Sequence, residues 1–131
     1  MYDTPASLFG SLSAEMWRAC RLVVDTGLHS LGWDRQRAVD FMAEQSGRPA
    51  VEVASEVDRY ITWPGQACGY QIGKIKITQL RAKAEAALAA LFDVRSFHDT
   101  IVATGSAPLW VLEQQVDQWV ETMLNTTVKS S

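Results

Sequence analysis

Cysteine and histidine are scarce in this 131-residue chain, with two of each. Cys20 and Cys68 are too few for a disulfide framework. Both fall in helical patterns beside small or apolar residues, which predicts buried free thiols. His29 and His98 lie in different predicted helices and form no HExxH pair. They do not supply the three or four converging ligands a zinc site needs, so no cofactor is expected in this chain itself. Walker loops, a GxGxxG after a strand and a GxSxG elbow are all missing, and Cys20 has no nearby histidine to activate it. Positive charge is not in excess: the net charge is −3 and the pI about 5.3, which excludes nucleic acid and anionic membranes as expected partners. No apolar run approaches membrane-spanning length, and the amino end lacks the basic-then-apolar layout of a signal peptide. The expectation is a soluble chain, cytoplasmic or exported according to what precedes it in a longer parent.

What is present is ordinary for a globular chain: 47% hydrophobic and 21% charged residues. Residues 1–131 read as a single helical domain, able to bury roughly two-thirds of its unfolded surface. Five tryptophans are many for this length. Trp17, Trp33, Trp63 and Trp110 are expected at a surface that packs against something else, either the rest of a parent chain or a second copy in a homodimer.

No strand alternation and no internal repeat occurs, and the pattern predicts an all-α fold of about six helices in an antiparallel or orthogonal array. Met1 to Leu12 reads as an extended lead-in, followed by a helix from Leu12 to Gly32 capped by Ser13. Met16, Cys20, Val23, Gly27 and Leu31 form its expected apolar face. Asp34 caps a second helix closed by Gly47, and Pro49 opens a third that stops before Pro64. A long fourth helix runs from Gly65 to about Leu91. Gly65, Gly69 and Gly73 recur along it every fourth residue, which predicts close approach of another backbone. Asp93 caps a fifth helix ended by Gly105, and Pro108 opens a sixth before the polar end NTTVKSS.

Two polar groupings stand out. On the first helix Arg18, Arg21, Asp25 and His29 recur at steps of three and four. Arg21 is spaced to hold Asp25, and Asp25 to accept from His29 and fix its tautomer; an ordinary solvated face fits the same spacing. The second grouping, RYITWPGQACGYQIGK, brings Arg59 and Tyr60 to a corner followed by Gln66, Tyr70 and Lys74 at i+4 steps. A helix corner with bare amino ends suits a carboxylate or oxyanion, and a plain amphipathic corner fits equally.

Three ordered motifs carry a resemblance: ElWRAxRLVVDTGlHxxGW, EVxRYIxWPGQAxxYxIGxxKIxxLRxxAExxL and FDxRxFHDxxxxxGxxPLxxLExQVxxW. Here they are Glu15 to Trp33, Glu56 to Leu88 and Phe92 to Trp119. They resemble the carboxy-terminal part of the bacterial "domain of unknown function" family numbered 885, similar to zinc metallopeptidases of the gluzincin kind. The resemblance implies that this is the last part of a larger helical metallopeptidase-like fold. The zinc-binding HExxxGH-like segment and a later glutamate would lie upstream, and zinc is implied only for the full-length parent.

It further implies that His29 and Tyr70 steady a tetrahedral intermediate. Arg21, Asp25, Arg59, Tyr60, Gln66 and Lys74 would then bind a peptide-like substrate. Cys68 departs from the pattern, which has Leu-Ser or Leu-Ala around this point. The implied function is the substrate side of a zinc-dependent peptidase or related hydrolase, inactive alone and partnered by the upstream catalytic portion. The alternative is a stand-alone helical module that binds a peptide or protein.

Overall fold

The computed structural model describes residues 3–128, and over them the chain is all-helical, with six α-helices and no strand. The helices are α1 (Pro5–Ser30), α2 (Arg35–Ser46), α3 (Ala50–Thr62), α4 (Gly69–Leu88), α5 (Val94–Ala103) and α6 (Leu109–Val128). Short 3₁₀ turns at Gln66–Cys68 and Ala89–Leu91 flank α4.

The helix ends follow local chemistry. Asp34 Oδ1 accepts from the Arg37 N–H at 2.8 Å, and Asp93 accepts from the Arg95 and Ser96 N–H groups at 3.1 and 3.3 Å. Gly47 leaves α2 with φ +65°, Gly32 follows α1 at +67° and Gly105 follows α5 at +66°. The first helix corrects the sequence reading, because it starts at Pro5 rather than Leu12. Thr4 Oγ1 accepts from the Ser7 N–H and Ser7 Oγ from the Thr4 N–H, each at 3.2 Å, a reciprocal cap in place of the Ser13 cap. The expected lead-in is therefore helical from Pro5, its first two residues lying outside the described ones. The expected fourth helix begins as a 3₁₀ turn. At the other end α6 continues through the polar stretch to Val128, and residues 129–131 lie outside the described ones.

The chain packs as two compact units, one ending at Ile72 and the other starting at Gly73. In the first, α1, α2 and α3 enclose Cys20, Val24, Ala38, Met42, Val53, Val57 and Tyr60, with Trp17, Trp33 and Phe41 packed on them. In the second, Leu80 and Ala84 of α4 meet Phe97 of α5 and Leu112 and Val116 of α6. Lys76–Glu113 and Lys83–Asp117 ion pairs, at 2.8 and 2.7 Å, join α4 to α6, and Trp119 Nε1 donates to Ser96 Oγ at 3.0 Å. Of the four tryptophans expected at the surface, Trp63 and Trp110 are exposed. Trp17 and Trp33 are half-buried against the first core.

The apolar face of α1 is rotated from the one expected. Met16, Val23 and Leu31 are exposed, whereas Arg21 and Asp25 are buried beside Cys20 and Val24. The expected close approach of another backbone along the glycine strip is not found among the described residues, and the one crowded glycine faces a side chain. A Cβ at Gly65, Gly69 or Gly73 would meet nothing within 4 Å among the described residues, but one at Gly27 would lie 2.5 Å from the Trp33 ring.

Gly27→Ala should therefore destabilise the chain by about 1–3 kcal/mol through overpacking. Gly69→Ala, at helical angles in open space, should stabilise it by up to about 1 kcal/mol. Urea midpoints of the two variants check this, and a stabilising Gly27→Ala would contradict the packing.

Candidate functional site

Seven of the eight sequence-predicted site residues, Arg21, Asp25, His29, Arg59, Tyr60, Gln66 and Tyr70, lie in the first unit. Lys74 belongs to the second unit. The site is built on a corner. Trp63 precedes Pro64, takes non-helical angles (φ −130°, ψ 73°) and ends α3, and Gly65 then turns with φ +82° into the 3₁₀ turn. Asp25, 3% exposed, reaches this corner from α1, and both its oxygens lie 3.0 Å from the Gly65 N–H. Burial and then the nearby Asp25 charge push the Cys68 thiol up from its usual range.

The expected chain from Arg21 through Asp25 to His29 does not form. Asp25 serves the corner, and His29 Nε2 lies 3.0 Å from the Tyr60 carbonyl, which also accepts from the Trp63 N–H at 3.2 Å. A carbonyl only accepts, so Nε2 carries the proton and His29 acts as a side-chain cap on the end of α3. A neutral His29 then presents only an acceptor at Nδ1; a second donor requires the imidazolium.

Arg21 is the centre of a stack. Its guanidinium, on a residue 8% exposed, lies 5.5 Å from the Tyr60 ring centroid and 5.4 Å from that of Tyr70. Arg59 lies 5.1 Å from the Tyr60 ring and Arg18 5.7 Å from the Tyr70 ring. Guanidiniums and phenol rings thus alternate in the order Arg59, Tyr60, Arg21, Tyr70, Arg18. Each contact contributes about 0.5–1 kcal/mol when exposed, and more when desolvated.

Gln66 Oε1 accepts from Arg21 Nη2 and from Arg59 Nη1, each at 3.2 Å. Glu56 takes Arg59 Nη2 at 2.6 Å and the Tyr60 hydroxyl at 2.8 Å. Those bonds, Arg59 first, hold the Glu56 carboxyl below its usual range, and burial with Glu56 beside it pushes the Tyr60 phenol far above its own. Tyr60 is consequently a packed, protonated donor to Glu56 rather than a group that moves a proton.

Tyr70 is different: 61% exposed, its hydroxyl makes no hydrogen bond among the described residues. It stands level with Arg18 and Arg21. His29 lies eight residues beyond Arg21, roughly 12 Å along the helix. Among the described residues no hydrogen bond joins His29 to Tyr70, and His29 Nε2 is engaged with the Tyr60 carbonyl.

Sequence reasoning missed Glu56, whose signal was its place three residues before Arg59 and four before Tyr60. Zinc does not fit these residues. His29 is engaged with Tyr60, and among the described residues no three His, Cys, Asp or Glu side chains converge.

Fold and site together define an all-helical protein with an arginine face buttressed by tyrosines. It belongs to the family described as "Bacterial protein of unknown function" (DUF885), which matches residues 1–116. It is similar to a crystal structure described as "the putative lipoprotein from Colwellia psychrerythraea", with 45% identity and a TM-score of 0.90 over 93% of this chain. The chain spans 21% of that protein's length. No curated protein matches it. Among the described residues no helix is long and apolar enough to cross a membrane.

Proposed function

We propose that this chain is the substrate-side helical part of a zinc-dependent peptidase or related hydrolase, with the metal held by residues outside it. The observation that carries the reading is the open end of the stack. There the exposed Tyr70 hydroxyl, without a hydrogen-bond partner among the described residues, is carried on the ring over which Arg18 and Arg21 lie. Groups so held are pre-positioned for a peptide's carbonyl and carboxylate oxygens, and their geometry is set by packing rather than by a substrate. The resemblance to metallopeptidase-like proteins supplies the reaction class. The matched structure's greater length is compatible with a catalytic portion elsewhere. In this reading Tyr70 is the candidate transition-state donor. Arg21, Arg59 and Gln66 bind substrate, while Asp25, Tyr60 and His29 hold the corner that positions them. Lys74 lies in the second unit and is given no place in this site.

The test is the purified chain, loaded with zinc, dialysed and assayed on a mixed peptide library. Neither stoichiometric zinc nor turnover is expected from the chain alone. Turnover is expected once the remainder of a full-length family member is added. Tight zinc on His29 or His98, or hydrolysis by the chain alone, would overturn the reading. A stand-alone binding module would leave the mixture inert.

A further inference from the structure

The geometry points to a carboxylate-binding subsite between Arg21 and Arg59, held closed by the side-chain amide of Gln66. Two full positive charges converge there on one neutral oxygen, at 3.2 Å each. Charge-assisted N–H bonds to a carboxylate draw in to about 2.7–2.9 Å, so the amide oxygen is a weak occupant of a site suited to an anion. Among the described residues Arg21 donates to no carboxylate: Asp25 is committed to the Gly65 N–H, and Glu56, which feels the Arg21 charge, is taken by Arg59 and the Tyr60 hydroxyl. Its Nε is buried without any hydrogen bond among the described residues. An unpaired buried donor on a charged group is costly, and the Nε–Nη2 edge of a guanidinium is the edge that takes a carboxylate two-fold.

Arg59 leaves only Nη1 for the site, since Nε and Nη2 are on Glu56 at 3.3 and 2.6 Å. A two-oxygen ligand would take the Arg21 edge with one oxygen and Arg59 Nη1 with the other. The guanidiniums need not move, because Tyr60 and Tyr70 already hold them. Gln66 is the movable part. It is exposed, and its amide NH₂ makes no hydrogen bond among the described residues. Rotation of its side chain frees Arg21 Nη2 and Arg59 Nη1 for a ligand oxygen.

The ligand class is a free carboxylate, such as the carboxy terminus of a peptide. This deepens the proposed function and rests on its assignment of the first unit to substrate binding.

The chain itself is titrated with N-acetylglycylglycine, with the C-terminal amide of the same dipeptide, and with inorganic phosphate, followed by amide chemical shifts. The acid should bind in the millimolar range, with shifts at Gln66, Arg21 and Arg59, and at least tenfold more tightly than the amide. Gln66→Ala should tighten the acid several-fold by removing its competitor. Gln66→Glu places a carboxylate between the guanidiniums; it should abolish binding and raise the melting temperature by several degrees. Equal binding of acid and amide, or no binding of either, would overturn the subsite. So would unchanged affinity in Gln66→Glu, or phosphate binding where the acid does not. No turnover is read, so failure here leaves the hydrolase reading standing. Failure of the reconstitution assay would conversely leave the subsite standing.

Discussion

Asp25→Ala is expected to destabilise the first unit by about 3 kcal/mol, a large share of the 5–15 kcal/mol typical of a whole domain. The carboxylate is 3% exposed and both its oxygens face the Gly65 N–H. Hydrogen bonds to a charged group contribute about 1.5–3 kcal/mol. Part of this loss is offset, because burying the Asp25 charge is itself unfavourable. Asp25→Asn keeps an oxygen for Gly65 and should cost only about 1–2 kcal/mol. Urea unfolding of the three proteins at neutral pH gives the order wild type, Asn, Ala. A change within about 0.5 kcal/mol for Ala would mean that the corner does not depend on this carboxylate. The stack should loosen as well, since Gly65 directly precedes Gln66.

Most helix ends were legible in the sequence because their causes are local. Asp34, Gly47, Pro64, Asp93 and Gly105 each act within four residues of themselves. The start of α1 is local too, but Thr4, Pro5 and Ser7 also read as loop chemistry, and the reciprocal cap between Thr4 and Ser7 outweighs that. The glycine strip misled for a different reason. Spacing shows which residues share a face, not whether anything covers it. Among the described residues only Gly27, against Trp33, has a neighbour close enough to exclude a side chain.

The candidate site was legible as a set of residues and not as a set of bonds. Arg21, Asp25 and His29 are four apart on one helix, a spacing that predicts near neighbours as their partners. Instead they bond to Gln66, Gly65 and Tyr60, which lie 45, 40 and 31 residues away. Such partners exist only after α3 and the corner have folded against α1. The same non-local pairing explains why Arg21 and Asp25 are buried while Met16 and Val23 are exposed. A polar face with partners on another element can be an inner face. Apolar periodicity alone gives no sign of that.

Tyr70→Phe, introduced at the matching position of a full-length family member, is expected to lower kcat on a peptide substrate by about 10²–10³, with KM little changed. The variant is a clean one. Phenylalanine keeps the ring against Arg18 and Arg21, and the hydroxyl it removes has no hydrogen-bond partner among the described residues, so folding stability should not move. A purely structural Tyr70 therefore forecasts no effect of any kind. The most direct measurement is steady-state peptide hydrolysis by that protein and its Tyr70→Phe variant, with unfolding midpoints recorded alongside. A fall in kcat at constant KM and constant stability is the expected result. Wild-type turnover in the variant, or no peptide hydrolysis by the full-length protein, would contradict the assignment of this helical face to the substrate.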